Sequence, residues 1–368
     1  MADPKQRKQE TPYSQKSECR DFTLFQALGI NDVETVAWKN FVILRWGSLT
    51  TVSCPDCKKV DKHYFRSHRK QWRCKHCHRC FSVTTGTPFA NRKIPFSKLI
   101  QLCYEFATSP KGISANSLAG KIGTTHVTAY LNISKIREAQ FLTEDRSQLS
   151  GHIHVDGCHF CGKPRRPRKR NKMTSEIVNN HLKNRKANIV PGKKYNREPW
   201  NLRKLENRRI VMLLRQVSDV RGKGATRTIS CVVMRESQEE VLKVIPKYVR
   251  QGSIISTDDG SAYKFLAGSY EHRSVCHSEE YSNDQGINNN QAESGHSRMR
   301  RAEYGVFHGM RPQYLAFYAS EIAWRENIRK MPQSVKYQDL FSRIFSCGHS
   351  EAFRGYVQGR RLGYEHLG

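Results

Sequence analysis

Four cysteines stand in two closely spaced pairs in the first quarter of the chain. The pairs are Cys54-Pro-Asp-Cys57 and Cys74-Lys-His-Cys77, with sixteen residues between them. Each pair can supply two thiolates from one tight turn, and two such turns close a tetrahedral Zn²⁺ site. Because all four ligands then come from the protein, we predict a structural zinc ribbon and not a catalytic zinc.

Three nearby side chains are alternatives for one ligand position. His76, His78 and Cys80 adjoin the second pair, but the spacing favours the four cysteines. A further CxxC, Cys158 to Cys161, stands alone, and a core or surface role is the simpler interpretation.

Three acidic residues, far apart in the chain, are candidates for a second and catalytic metal site. Asp156 lies in the segment HIHVDGCHF, Asp258 ends SIISTD, and Glu293 follows 35 positions later, at the start of a helix predicted over 290–302. Carboxylate oxygens are the ligands that Mg²⁺ and Mn²⁺ prefer. Two such cations can stabilise the attacking and leaving oxygens of a phosphoryl transfer, so this triad predicts that chemistry.

Neighbouring residues compete for two of these roles. Asp259 directly follows Asp258, and a lone aspartate at a strand end is often only a turn or cap residue. Asn290 precedes Glu293 by three positions and could supply an amide oxygen to a metal.

The elements that must bring the carboxylates together lie within residues 151–278. The apolar patterns predict strands at 152–160, 209–217, 228–234, 253–258 and 272–278, with helices at 237–250 and 261–268. Three antiparallel strands followed by alternating helices and strands are typical of a ribonuclease-H-like α/β domain. On that fold the first and fourth strands are central neighbours, which would bring Asp156 close to Asp258.

A helix-turn-helix is predicted between the zinc ribbon and this domain. Apolar spacing indicates a helix over 114–121, a turn at Gly123 and a second helix over 124–140. Polar residues at the start of such a second helix suit contacts in a DNA major groove. The alternative is an ordinary helical hairpin. The candidate DNA contacts on the second helix are Thr124, Thr125, His126, Lys135 and Arg137.

The charge of the whole chain favours a polyanionic partner. The 368 residues carry 63 Lys and Arg against 33 Asp and Glu, a net charge of +30. Self-repulsion on this scale destabilises a compact fold unless a polyanion such as nucleic acid neutralises it. A merely solubilised or ribosome-associated basic protein is the alternative. The sequence has no apolar run long enough for a membrane span, and its polar N-terminus predicts no secretory signal.

A basic insert at 163–209 separates the first two predicted strands. It holds 17 basic and 3 acidic residues, a net charge of +14. We predict an arm that tracks DNA phosphates, with a solvated loop as the alternative. Its candidate contacts are Arg165, Arg166, Arg168, Lys169 and Arg170.

These segments divide the chain into five predicted parts. They are an N-terminal tail with short helices (1–46), the zinc ribbon (47–90), the helix-turn-helix region (91–145), the catalytic domain (146–335) and a C-terminal extension (336–368).

Several segments together resemble DDE-type insertion-sequence transposases of the ISXO-like, Merlin-related kind, over about residues 27–327. They are CPDC, CKHC with FSVTTGTPF, KGISANSLAGKIG, SKIREA, HVDGCHFCGK, STDDGSAY, HSEEY, NNNQAES and YLAFYASEIAWREN. In such families an aspartate precedes a tyrosine by five positions, which Asp258 and Tyr263 match and Asp259 does not.

The resemblance also concerns the third acidic position. It marks a glutamate followed by spaced arginines, matched by Glu293, Arg298 and Arg301, and it marks a histidine matched by His277. The relatives more often have H-T-N-x-I-E where this chain has NNNQAE, so Asn290 remains an alternative third ligand.

The resemblance implies a DNA transposase with one structural Zn²⁺ and two catalytic Mg²⁺ or Mn²⁺ ions. It implies binding of terminal inverted repeats, strand cleavage and strand transfer to target DNA by a homodimer or larger assembly. We expect it in the cytoplasm of a prokaryotic host, associated with the nucleoid. The alternatives are a catalytically idle, domesticated DNA-binding regulator and a structure-directed nuclease.

Overall fold

The N-terminal part of the fold is a helix with a small β module. The computed structural model describes residues 32–161, 208–220, 223–275 and 289–368. After helix α1 come five short strands, of which β1 pairs with β2, and β3, β4 and β5 form an antiparallel sheet. Their bounds are α1 Val33–Trp46, β1 Val52–Ser53, β2 Val60–Asp61, β3 Tyr64–Arg66, β4 Gln71–Arg73 and β5 Cys80–Ser82.

Aromatic side chains attach this β module to α1. Trp72 of β4 is fully buried, and its ring stacks on Trp38 of α1 at 5.8 Å and on Phe81 of β5 at 5.9 Å. Large aromatic groups bury much apolar area in a small module, which otherwise has little core of its own.

Three helices follow, and the second and third correspond to the predicted helix-turn-helix. They are α2 Phe96–Thr108, α3 Ala115–Lys121 and α4 His126–Leu142. Ser114 and Thr125 cap α3 and α4, because each hydroxyl accepts the backbone N–H three residues later. Gly123 makes the turn between them with φ +60°, a conformation that glycine adopts without steric cost.

A five-stranded sheet forms the centre of the second half. Its strands are β6 His152–Phe160, β7 Arg209–Val217, β8 Ala225–Val233, β9 Ile254–Asp258 and β10 Glu271–Val275. Their spatial order is β10-β9-β6-β7-β8, with β6, β7 and β8 antiparallel and with β9 parallel to both β6 and β10. The first and fourth strands of this sheet are therefore neighbours at its centre, as predicted.

Helices cover both faces of the sheet. Val155 and Met212 face α5 (Gln238–Tyr248) and the 3₁₀ segment Ser261–Gly268. Cys158 and Phe160 lie on the opposite face, in the core with helices α6 (Asn290–Ala302) and α7 (Leu315–Ile328). Because side chains alternate along a strand, Asp156 points toward the face of α6. The elements on this face are α6 Asn290–Ala302, its π-helical continuation Glu303–Phe307, the 3₁₀ turn Pro312–Tyr314 and α7 Leu315–Ile328.

The last helix returns to the N-terminal half. Helix α8 (Gln333–Ser346) places Phe341 in one core with Phe41 of α1 and Phe106 of α2. Farther on, Glu138 of α4 accepts hydrogen bonds from the backbone N–H groups of residues 351 and 352. The division of the chain into five parts stays a prediction. Across the described ranges, the helices are too short or too polar to span a bilayer.

Candidate active site and zinc centre

The four predicted zinc ligands lie together. The Sγ atoms of Cys54 and Cys77 are 3.7 Å apart, those of Cys57 and Cys74 are 3.6 Å apart, and all four fall within 4.8 Å of one another. A tetrahedral zinc with Zn–S bonds of about 2.3 Å places its sulfurs roughly 3.8 Å apart. The cluster therefore fits Zn²⁺ without rearrangement.

Two tight turns produce this geometry. Lys58 and His78 each follow a cysteine pair with φ of 62° and 59°. The reversed chain lets the N–H groups of Cys54 and Cys74 donate to the carbonyl groups five residues later. The alternatives do not join the cluster: His76 lies 3.3 Å from Asp61, and Cys80 is exposed.

Strand register brings two of the three predicted catalytic carboxylates side by side. The last paired positions of β6 and β9 are His154 and Ser256. Asp156 and Asp258 each lie two residues beyond this pair, so they stand at the same level on adjacent parallel strands. Glu293 arrives in the first turn of α6, which packs on β6 and β7.

A glycine lets α6 approach the sheet closely. Gly295 is buried, and a Cβ at this position would lie 2.8 Å from the side chain of Leu213 and 3.1 Å from that of Arg215. Any larger residue would push α6 outward. Gly295 therefore helps to set how near Glu293 comes to the strand of Asp156.

Two side chains tie α6 to β6 on either side of the Asp156 backbone. Asn289 Nδ2 donates to the carbonyl oxygen of Val155 at 3.1 Å. His296 Nε2 lies 3.0 Å from the carbonyl oxygen of Asp156 and 3.6 Å from its carboxylate. Burial lowers the pKa of His296 to about 4, so the neutral ring donates this hydrogen bond at neutral pH.

Asp156 is surrounded by negative charge. Burial, together with the carboxylates of Glu236, Asp258 and Glu293, raises its pKa to about 7 against the opposing effect of the Gly157 N–H. A carboxylate whose ionisation is disfavoured by neighbouring negative charge is stabilised by a bound divalent cation. The donor set is therefore suited to Mg²⁺ or Mn²⁺.

The carboxylates are more widely spaced than the cysteines. Among groups of three or more potential metal ligands in the described ranges, only the cysteine cluster brings its ligand atoms within 4.8 Å of one another.

A cavity of about 750 Å³ opens beside the carboxylates. Asp156 and Glu293 line one part of it, and Arg300 and Arg301 line another. Arg300 Nε also lies 3.0 Å from Cys158 Sγ on β6. The cavity thus combines potential cation ligands with cationic groups that can neutralise phosphate oxygens.

A second cavity, of about 320 Å³, lies between the end of α2, α6 and α7, and Arg301 lines both cavities. Its lining carries several cations around one carboxylate, that of Glu326, which pairs with Arg215 at 2.8 Å and with Arg298. The basic residues lining it are Lys111, Arg298, Arg301, Arg325, Arg329 and Lys336.

The predicted DNA contacts on α4 divide into two groups. Thr125 and His126 are exposed at the start of the helix, and Thr124 is partly exposed. Lys135 is partly buried, and this burial lowers its pKa. Arg137 is buried and pairs with Glu321 at 2.5 Å, so its predicted DNA contact was wrong.

The alternatives to the carboxylates stand at the edge of the site. Asp259 is exposed, and its backbone N–H donates to Asp258 Oδ1 at 2.9 Å. Asn290 is exposed as the first residue of α6. Other predicted residues, Arg165, Arg166, Arg168, Lys169, Arg170 and His277, lie outside the described residues.

Sequence reasoning overlooked Glu236. This residue lies between β8 and α5, and Tyr263 donates a hydrogen bond to its Oε1 at 2.6 Å. The available signal was its position near the carboxyl end of a strand, since Glu236 follows the end of β8 by three residues and Asp258 ends β9. Nothing in its sequence neighbourhood shows that this strand end comes close to Asp156.

Two models of known protein families match the chain. Residues 148–327 match the ISXO2-like transposase domain, and residues 34–80 match the transposase zinc-ribbon domain. No curated protein and no solved structure matches the chain. These two domain matches together identify a transposase of the DDE class. The chain belongs to the ISXO2-like (IS1595) transposase family.

Proposed function

We propose that this DNA transposase cleaves and joins strands with Asp156, Asp258 and Glu293. The observation that carries the proposal is that Asp156 and Asp258 each lie two residues beyond the last paired positions of two adjacent parallel strands, while Asp156 and Glu293 line one cavity. Three antiparallel strands continued by two parallel strands support a ribonuclease-H-like catalytic domain.

The chemistry consists of two phosphoryl transfers. Water attacks the phosphorus at a transposon end, the bond to the 3′ oxygen breaks, and a 3′ hydroxyl is released. That hydroxyl then attacks a phosphodiester of target DNA, whose own 3′ oxygen leaves. Two Mg²⁺ or Mn²⁺ ions held by the carboxylates would stabilise the attacking and leaving oxygens.

The other residues of the site position the DNA strand. Arg300 and Arg301 line the same cavity as Asp156 and Glu293 and are suited to the non-bridging phosphate oxygens. Arg301 also lines the second, basic cavity, which offers the strand a continuous cationic path toward α2. Positioning and charge stabilisation supply catalysis here without a covalent intermediate.

DNA recognition belongs to the N-terminal half in this proposal. The exposed start of α4, with Thr125 and His126, is suited to a major groove, and the zinc ribbon adds contacts to a terminal inverted repeat. Both transposon ends must be held together for transfer, so the active form is a homodimer or a larger assembly on DNA. We place it in a prokaryotic cytoplasm, associated with the nucleoid.

The alternative functions have less support. A catalytically idle regulator would gain nothing from repelling carboxylates at Asp156, and the retained triad argues against it. A nuclease without strand transfer would not need the zinc ribbon that binds transposon ends in this proposal.

Cleavage of DNA that bears a transposon end, with Mg²⁺ and then with Mn²⁺, tests the proposal. Asp156→Asn and Asp258→Asn should each lower the cleavage rate at least about a hundredfold, because the cations lose a ligand. DNA affinity should stay within about twofold, since other surfaces supply the binding. Asp259→Asn is the matched control and should cleave normally.

The third ligand is decided in the same assay by comparing Glu293→Gln with Asn290→Ala. We expect loss of cleavage only with Glu293→Gln. Loss only with Asn290→Ala would move the third ligand to the asparagine. Normal cleavage by Asp156→Asn or Asp258→Asn would refute the catalytic assignment.

A further inference from the structure

A fourth carboxylate, that of Glu236, reaches the strand of Asp156 from the opposite face of the sheet. Glu236 precedes Ser237, whose hydroxyl caps α5. Its Oε1 accepts the hydroxyl hydrogen of Tyr263 at 2.6 Å, and Tyr263 follows Asp258 by five residues. The side chain is therefore held in a defined place beside both strands of the site.

Gly157 makes room for this carboxylate. A Cβ on Gly157 would lie 2.6 Å from Glu236 Oε1, 2.7 Å from Cδ and 3.0 Å from Oε2. All other residue types carry this atom, so only glycine lets the carboxylate lie directly over the backbone next to Asp156. The position of the Glu236 carboxylate therefore depends on the glycine at 157.

The carboxylate has no cationic partner in the described ranges, where no Lys, Arg or His nitrogen lies within 4.0 Å of it. In a chain with a net charge of +30, an acidic group without a salt bridge beside two further acids is costly unless a cation joins them. A cation bound between these carboxylates would supply the missing positive charge.

We infer that Glu236 is a fourth carboxylate ligand of the proposed divalent-metal site and that Tyr263 is its positioning residue. The inference rests on the proposed function, because it assigns a further ligand to the same metal site. Tyr263 engages Oε1 and so fixes the direction in which Oε2 can meet a cation. Consistent with this closeness, Glu236 raises the pKa of Asp156 more than Asp258 or Glu293 does.

Titration of the zinc-loaded full chain with Mn²⁺, without DNA, tests the inference by calorimetry. Glu236→Gln keeps the shape and the hydrogen bond to Tyr263 but removes the charge, and it should weaken Mn²⁺ binding at least about tenfold. Glu239→Gln is the matched control. Glu239 lies on α5 with its carboxylate on Lys243 at the surface, so Mn²⁺ affinity should not change.

Gly157→Ala gives an independent perturbation. The new methyl group displaces the end of the Glu236 side chain, so Mn²⁺ affinity should fall as it does in Glu236→Gln. In the Glu236→Gln background the same alanine should have no further effect, because both changes act through one group. Tyr263→Phe should weaken Mn²⁺ binding less than Glu236→Gln does.

Either of two results with Glu236→Gln overturns the inference. Unchanged Mn²⁺ affinity, combined with a lower melting temperature, would make Glu236 a structural hydrogen-bond acceptor only. Unchanged affinity with an unchanged melting temperature would remove any role. In each case Asp156→Asn should still abolish Mn²⁺ binding, and only its failure to do so would count against the proposed function.

Discussion

The carboxylate of Asp156 is partly buried among other negative charges, and both effects oppose its ionisation in the folded protein. Its carboxylate is about one-quarter exposed and meets the charges of Glu236, Asp258 and Glu293. The first cause of its raised pKa is burial, and the second is Glu236. The conflict predicts a pH dependence that a mutation can remove.

In the unfolded chain this carboxyl group has the ordinary pKa of 3.8, and in the folded protein without Mg²⁺ its pKa is about 7. Folding therefore favours the protonated form, and this contribution is fully present below about pH 4 and is lost as pH rises to 7. The loss amounts to at most about 4 kcal/mol. Asp156→Asn, which has no ionisable group at this position, should not lose this stability.

Urea unfolding at pH 5 and at pH 8, without added divalent cations, measures this difference. Asp156→Asn should be more stable relative to the parent protein at pH 8 than at pH 5. Adding Mg²⁺ at pH 8 should reduce the difference, because the cation offsets the repulsion in the parent protein. An equal difference at both pH values would contradict the raised pKa.

The residues that sequence reasoning missed or misassigned have their partners far away in the chain. Arg137 follows the helical pattern of a DNA-facing helix, yet its partner Glu321 lies 184 positions later. Glu236 is 80 positions from Asp156, in the connection between β8 and α5. Local spacing cannot show such pairs, whereas the two cysteine pairs were identified because each ligand pair is local.

At the scale of elements, the zinc ribbon is a small module that depends on its metal. Cys57→Ser should abolish stoichiometric zinc, measured by elemental analysis, because three thiolates cannot complete the site. Structural zinc contributes on the order of 10 kcal/mol to folding of such modules. We therefore expect the stacked environment of Trp72 to be lost as well, with a change in tryptophan fluorescence.

Cys80→Ser is the matched control for the ribbon. Cys80 begins β5, three residues after Cys77, but it is exposed and outside the cluster. Its replacement should leave one zinc per chain and an unchanged fluorescence spectrum. Full zinc retention in Cys57→Ser would refute the ligand assignment.

A buried ion cluster connects the helix-turn-helix to the sheet domain. Glu321 of α7 binds Arg137 of α4 at 2.5 Å and Arg325 at 2.7 Å, and Arg325 also donates to the carbonyl oxygen of Phe106 in α2. The pKa of Glu321 is lowered, since the two arginines outweigh its burial. The cluster thus fixes α4 relative to α7.

Glu321→Gln should destabilise the protein by about 3–5 kcal/mol in urea unfolding, because two buried arginines lose their counter-charge. Glu239→Gln removes an exposed pair with Lys243 and should cost less than about 1 kcal/mol. A loss below about 1 kcal/mol for Glu321→Gln would show that the arginines find other partners.

Most elements could be predicted because their own side chains carry the signal. The bounds of β6, β7 and α6 agree with the prediction. Strand β8 begins at Ala225 and not at 228. Its first residues are polar, but Arg227 pairs with Gln216 of β7, so backbone pairing extends the strand beyond its apolar part. The predicted helix at 261–268 is a 3₁₀ helix. The type of helix depends on the spacing of its backbone hydrogen bonds, which the apolar pattern does not show.

At the scale of the whole molecule, positive charge is concentrated where the sheet domain is interrupted. Residues 163–209 hold +14 of the total +30. This segment begins and ends at neighbouring points, since Phe160 of β6 pairs with Arg209 of β7. Phe160 is four residues, roughly 13 Å, from Asp156 along the strand. The charge is thus attached close to the proposed cleavage site.

Replacing residues 163–207 with a short Gly-Ser linker should therefore weaken DNA binding and flatten its dependence on salt. The adjacent ends of β6 and β7 allow the linker to close without disturbing their pairing, and the ion pair of Arg209 with Glu365 is kept. The slope of log K against log salt falls by about 0.9 for each phosphate contact removed.

Fluorescence anisotropy between low and moderate salt measures this slope, with full-length Asp156→Asn as the control that removes cleavage and keeps the arm. That control should retain the parent slope. An unchanged slope in the linker variant, with zinc content and melting temperature preserved, would show that the basic segment is a solvated loop and that the cationic cavities near Arg301 account for phosphate binding.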